Sequence, residues 1–169
     1  MTSSRHKLRA ALLAVIMVTS VMAIGGLGSA EISSSDVTLS DSEPTPGSDV
    51  TVTVTATPDN GTAGFSFTHE FNQSVGSASD ITTQVAGSSV DPIIEEVNAD
   101  GAIVTLGSVT AGEEITIEYT ITTEDTAAKA VSITGSVGQL ASSQELSEIS
   151  YTTSDAPTTP GEVTPLTSD

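Results

Sequence analysis

The chain has no cysteine and no tryptophan, and beyond residue 30 it keeps one basic side chain, Lys129, and one histidine, His69. Each absence narrows the function. Without cysteine there are no disulfides, so a small domain must rest on its apolar core alone. No cysteine and a single histidine argue against a transition-metal centre. With no basic patch to neutralise phosphates, DNA, RNA and anionic membranes are excluded as partners. Sugar rings lose their best stacking partner with tryptophan. The aromatics that remain are Phe65, Phe67, Phe71, Tyr119 and Tyr151. No glycine-rich loop has phosphate-cradling spacing, and no D-x-D-x-D-G calcium loop is present.

Acid is abundant instead. All 22 Asp and Glu lie beyond residue 30, against the one lysine, so that part carries a formal charge of −21. Self-repulsion of this size destabilises a compact state. Concentrated salt removes the objection, because the Debye length is only about 3 Å at 1 M. The composition is that of a halophile's protein. The alternative is an acidic surface protein at ordinary salt.

The N-terminus reads as an export signal over residues 1–30. Arg5, His6, Lys7 and Arg9 form a positive segment. Ala10 to Ile24 is apolar apart from Thr19 and Ser20, and Gly28-Ser29-Ala30 supplies small residues for cleavage after Ala30. A retained anchor is the rival, since Leu8 to Leu27 is about long enough to span a bilayer. If the signal is cleaved, nothing else spans a membrane.

Residues 31–153 read as one all-β domain. Val50, Val52, Val54 and Ala56 alternate with threonines, as do Ile115, Ile117, Tyr119 and Ile121 with Thr116, Glu118, Thr120 and Thr122. Alternation with period two marks half-buried strands. Val131, Ile133 and Val137 repeat it. Shorter strands are predicted at Asp36–Leu39, Gly64–Phe71, Ile81–Val85, Ile93–Val97, Ala102–Leu106 and Glu148–Thr152. Turn residues separate them: Pro44-Thr45-Pro46-Gly47, Asn60-Gly61 with a positive φ, a hairpin at Asp100-Gly101, and Ala111-Gly112-Glu113. The expected architecture is an antiparallel β-sandwich with Greek-key connections. Residues 154–169 hold Pro157, Pro160 and Pro165 among threonines, and predict a disordered tail.

Two runs resemble immunoglobulin-like repeats of prokaryotic surface proteins. Pro46-Gly47-Ser48-Asp49-Val50-Thr51-Val52-Thr53-Val54 is similar to their opening. Leu106-Gly107-Ser108-Val109-Thr110-Ala111-Gly112-Glu113-Glu114-Ile115, continuing to Ile121, is similar to their closing glycine and long strand. The run Leu12-Leu13-Ala14-Val15-Ile16-Met17-Val18-Thr19-Ser20 is similar to the leaders of haloarchaeal cell-surface glycoproteins. The resemblance implies an envelope or extracellular β-module, immunoglobulin-like in fold, and no chemistry.

Candidate sites are few. Asn60-Gly61-Thr62 and Asn72-Gln73-Ser74 fit the N-glycosylation pattern, and export would give it a compartment. A lysine buried beside an asparagine and a carboxylic acid forms an isopeptide crosslink in some surface immunoglobulin-like domains. Lys129 is the only candidate, against the reading of a surface lysine in a loop. Asp59, Asp91, Glu95, Glu96, Asp100, Glu113 and Glu114 are oxygen donors for Ca²⁺, against the reading of a solvated surface. No cofactor is expected. His69 alternates with Phe65, Phe67 and Phe71 and is read as lining a sheet face. A catalytic triad is defined by geometry rather than inventory, and the chain is read as non-catalytic. The functional expectation is a secreted or cell-surface structural or adhesive module. Its partners would be other envelope proteins, with self-association by exchange of Ser33–Ser40. The alternative is a carbohydrate- or ligand-binding extracellular module.

Overall fold

The computed structural model describes residues 32–61, 63–139 and 142–155. The export segment and all but the first two residues of the tail lie outside them. Eleven strands follow in order: β1 (Ile32–Leu39), β2 (Asp49–Pro58), β3 (Phe65–Phe71), β4 (Ser77–Val85), β5 (Ser88–Ser89), β6 (Ile94–Asn98), β7 (Gly101–Leu106), β8 (Ile115–Thr122), β9 (Ala130–Gln139), β10 (Ser142–Glu145) and β11 (Ile149–Thr152). No helix occurs among the described residues.

Two antiparallel sheets face each other. One runs β1-β2-β8-β4-β5, and the other runs β9-β3-β7-β6 with β10 and β11 in tandem along the free side of β9. Immunoglobulin sandwiches set strands A, B, E and D against C, F and G. Here β1, β2, β8 and β4 take the first set of places, and β3, β9 and β11 the second. The β6–β7 hairpin is an addition beside β3, entered between the D and E positions. The chain crosses between sheets at β2–β3, β3–β4, β5–β6, β7–β8 and β8–β9, which is the Greek-key sandwich the sequence predicts.

The alternation decides which face is buried. Val50, Val52, Val54 and Ala56 on β2 are at most 3% exposed, and so are Ile115, Ile117, Tyr119 and Ile121 on β8. Their register pairs Val52 with Tyr119 and Val54 with Ile117, so two apolar ribs lie side by side. Phe65 and Phe67 of β3 and Val131 and Ile133 of β9 close the core from the other sheet. Each large apolar side chain buried this way contributes about 1.5–3 kcal/mol before entropy is charged against it. With no disulfide, this packing holds the fold.

The turns follow residue chemistry in most places. Ser48 N–H donates to the Thr45 carbonyl at 3.1 Å, with Pro46 second and Gly47 third at a φ of 74°. That is the type II turn, which needs a positive φ at its third residue. Thr110–Glu113 repeats it with Gly112 at a φ of 77°. The β6–β7 hairpin closes at Asn98 and Gly101, and Asp100 N–H donates to Asn98 Oδ1 at 2.9 Å.

The expected positive φ at Asn60-Gly61 is absent. β2 and β3 lie in opposite sheets, so this link spans the sandwich and needs no tight hairpin. The positive φ pair falls at Ala86 (50°) and Gly87 (74°) instead, joining β4 to β5.

Candidate functional site

The five aromatics and the histidine lie in the core. Phe65, Phe67, His69 and Phe71 point inward from β3; Tyr119 projects from β8 and Tyr151 from β11, and all six are buried. No aromatic platform is left on the surface for a sugar ring.

His69 occupies a built place. Its register neighbours are Ala102 on β7 and Gly135 on β9, both small. A Cβ on Gly135 would overlap the imidazole and the Thr68 carbonyl, and a Cβ on Gly101 would overlap the His69 carbonyl. The ring therefore fills volume that its neighbours give up. Across the sandwich, His69 Nδ1 shares a 2.7 Å hydrogen bond with the Tyr119 hydroxyl. Phe67 packs edge-on to the imidazole at 4.6 Å between centroids. Burial lowers the His69 pKa from 6.5 to about 3 and raises that of Tyr119. Both groups are neutral at ordinary pH, and each supplies what the other needs in a dry interior. This is an inter-sheet polar clasp. Alternation marked the inward faces of β3 and β8, but nothing local paired His69 with Tyr119, 50 residues away.

Lys129 precedes β9. Its ammonium contacts Glu124 Oε2 at 2.6 Å and donates to the Ser74 carbonyl at 2.7 Å. The side chain is 14% exposed, and that of Glu124 is 37% exposed. The lysine thus ties the β8–β9 loop to the β3–β4 loop and is neither a free surface lysine nor deep in the core. Tyr151 lies near Glu124. Burial first, and the Glu124 charge second, push its phenol up to about 12. Its hydroxyl is buried without a partner, as are the Thr83 and Thr105 hydroxyls.

Asn60 is exposed at the head of the β2–β3 link, and Thr62 of its sequon lies outside the described residues. Asn72 is exposed as well, but its Oδ1 accepts the Ser132 N–H at 2.9 Å and its own N–H donates to the Ser132 carbonyl.

Three of the seven acidic candidates have local hydrogen-bond partners. Glu113 Oε2 accepts the Thr110 N–H, Glu96 Oε1 accepts from Asn98, and Asp100 Oδ1 accepts from Ser74. Among the described residues, no three His, Asp or Glu side chains are gathered as a metal site. Ser33–Ser40 is integral to the fold as β1, held on β2 with Ile32 and Val37 buried.

The outer face of the β1-β2-β8-β4 sheet is a hydroxyl array. Thr53 faces Thr38 on one side and Glu118 on the other, and Thr55 faces Asp36 and Thr116. Among the described residues, no helix is long and apolar enough to cross a membrane.

No family model matches the chain. No curated protein matches it either. Solved structures do. The N-terminal domain of an adhesin from Streptococcus gordonii aligns with a TM-score of 0.57 and 13% identity, over 75% of this chain and 34% of that one. The pilus backbone protein of Streptococcus pneumoniae aligns at 0.47 and 13%, over 61% and 50%. The bacterial hydrophobin BslA aligns at 0.42 and 18%, over 79% and 100%. The chain thus spans about a third of the adhesin structure and half of the pilus structure. At such identities the likeness is one of fold: the chain shares the β-sandwich architecture found in domains of bacterial surface adhesins.

Proposed function

We propose that this chain is a secreted or cell-surface structural or adhesive module of a halophilic prokaryote, and that it is non-catalytic. The observation that carries this reading is the division between interior and surface. Every aromatic and the only histidine beyond residue 30 are spent on packing. The exterior is left mainly to hydroxyls, carboxylates and amides, with Ile93 the one large apolar side chain exposed among the described residues. A surface of this kind offers no aromatic stacking platform, and among the described residues its acidic groups are not gathered three together; it is suited to brine, where screening removes self-repulsion. The fold shared with an adhesin domain supports the same reading. The burial of all five aromatics weighs against carbohydrate recognition by stacking.

Export with loss of residues 1–30 belongs to the proposal, as does glycosylation at Asn60 before Asn72, whose Oδ1 is engaged. The partners are other envelope proteins, reached through sheet edges, where an exposed strand pairs with another chain.

Fractionation of native cells tests the reading, with intact mass measured on the protein recovered. It should be found in envelope or medium, starting near residue 31. A cytoplasmic pool that retains residues 1–30 would refute it.

A further inference from the structure

An edge strand presents unpaired N–H and C=O groups, and natural sheets blunt such edges with brevity, charge, proline or a bulge. The edges of this sandwich are not equally blunted. β5 has two residues, and β4, which carries it, is itself bulged in its pairing with β8 between Ser79 and Thr82, with Asp80 at a φ of 55°. β6 has five residues, follows Pro92 and carries Glu95 and Glu96. β10 and β11 have four residues each, and Glu145 and Glu148 sit where they meet. β1 has eight residues, a single charge at Asp36, no lysine and no proline. Its bulge lies between Ile32 and Ser34, so Ser34–Leu39 runs in unbroken register with β2. Among the described residues, no strand occupies its other side.

We infer that the free side of β1 takes the β1 of a second copy, antiparallel, joining two five-stranded sheets into one of ten. The inference rests on the reading of the chain as an extracellular structural module. Residues directly opposite in an antiparallel pair share a face, so a twofold axis must pass through a residue position. An axis at Asp36 would set its carboxylate against its own copy, which is destabilising. An axis at Val37 sets Asp36 against Thr38 of the second copy, twice, and Val37 against Val37. Asp36 and Thr38 are both exposed on the outer face, while Val37 faces the core. The Val37 register therefore matches a carboxylate to a hydroxyl and opposes no like charges. Association in this register strengthens with salt, because the two acidic bodies repel until screened. An interface built on ion pairs would do the opposite.

Single-cysteine variants of the full chain test this cleanly, since no native cysteine competes. Asp36→Cys and Thr38→Cys are mixed in concentrated potassium chloride under mild oxidation. The expected product is the mixed disulfide, in excess over either homodimer, because like positions sit diagonally at about 7–8 Å, beyond easy disulfide reach. Thr38→Glu should weaken association by about tenfold, since it opposes two carboxylate pairs per dimer. Its far-ultraviolet spectrum and melting temperature establish that the monomer is intact. A mixed disulfide between Thr38→Cys and Thr53→Cys would show β1 exchanged onto the β2 of another copy, and would overturn edge addition. So would a monomer by ultracentrifugation at every salt concentration with no crosslink. Either outcome leaves the cell-fractionation result standing, so the two readings fail separately.

Discussion

Acid should unfold this sandwich through His69, and the size of the effect follows from its position. Buried between Ala102 and Gly135, the imidazole titrates near 3 in the folded chain against 6.5 unfolded. A histidine whose folded pKa is depressed contributes its full stability above the unfolded value and loses it as pH falls. The window therefore opens at about pH 6.5 and closes near 3. Linkage puts the loss at about 2 kcal/mol at pH 5 and about 3 kcal/mol at pH 4, with a slope approaching one proton between them. The perturbation is His69→Phe combined with Tyr119→Phe, which removes both polar partners and keeps ring volume in place. The single variant His69→Phe strands the Tyr119 hydroxyl and costs about 1–3 kcal/mol at neutral pH, whereas the pair is nearly neutral. Urea denaturation at fixed high salt, repeated from pH 8 to pH 4, gives both curves, and the remaining titrating groups cancel in their difference. The reasoning fails if the two pH profiles run parallel.

Further consequences of the packing are open to the same assay. Thr83→Val should stabilise the fold by about 1 kcal/mol at any pH, because the hydroxyl it removes is buried without a partner and the shape is kept. Gly135→Ala should destabilise it by about 1–3 kcal/mol, since the new methyl group meets the His69 ring and the Thr68 carbonyl. Lys129→Met should cost about 1 kcal/mol after allowance for the exposure of Glu124, and the effect should shrink as salt rises. The native chain should show no ammonia loss from an isopeptide link when its intact mass is measured. Stability of the unmodified chain should climb steeply from dilute buffer to 1 M salt and beyond, tracked by melting temperature.

The sequence alone determined the strands that bury one face and show threonine on the other. β8 is predicted at Ile115–Thr122 and found there, and β2 extends the prediction by one residue at each end. Alternation suffices because side-chain direction has a period of two along any strand. Turns at Pro44–Gly47 and Ala111–Glu113 were equally legible from their proline and glycine, although their type was not. What lacked a local signal went unread. β10 is polar throughout and is a strand only because β9 lies beside it. β5 hangs on a two-residue turn at Ala86-Gly87 that puts alanine in an unusual conformation. The clasp between His69 and Tyr119, the strut from Lys129 to Ser74, and the unguarded length of β1 were decided by tertiary structure. Each depends on which strands lie side by side or face to face, and pairing across 50 or more residues is set by the fold as a whole.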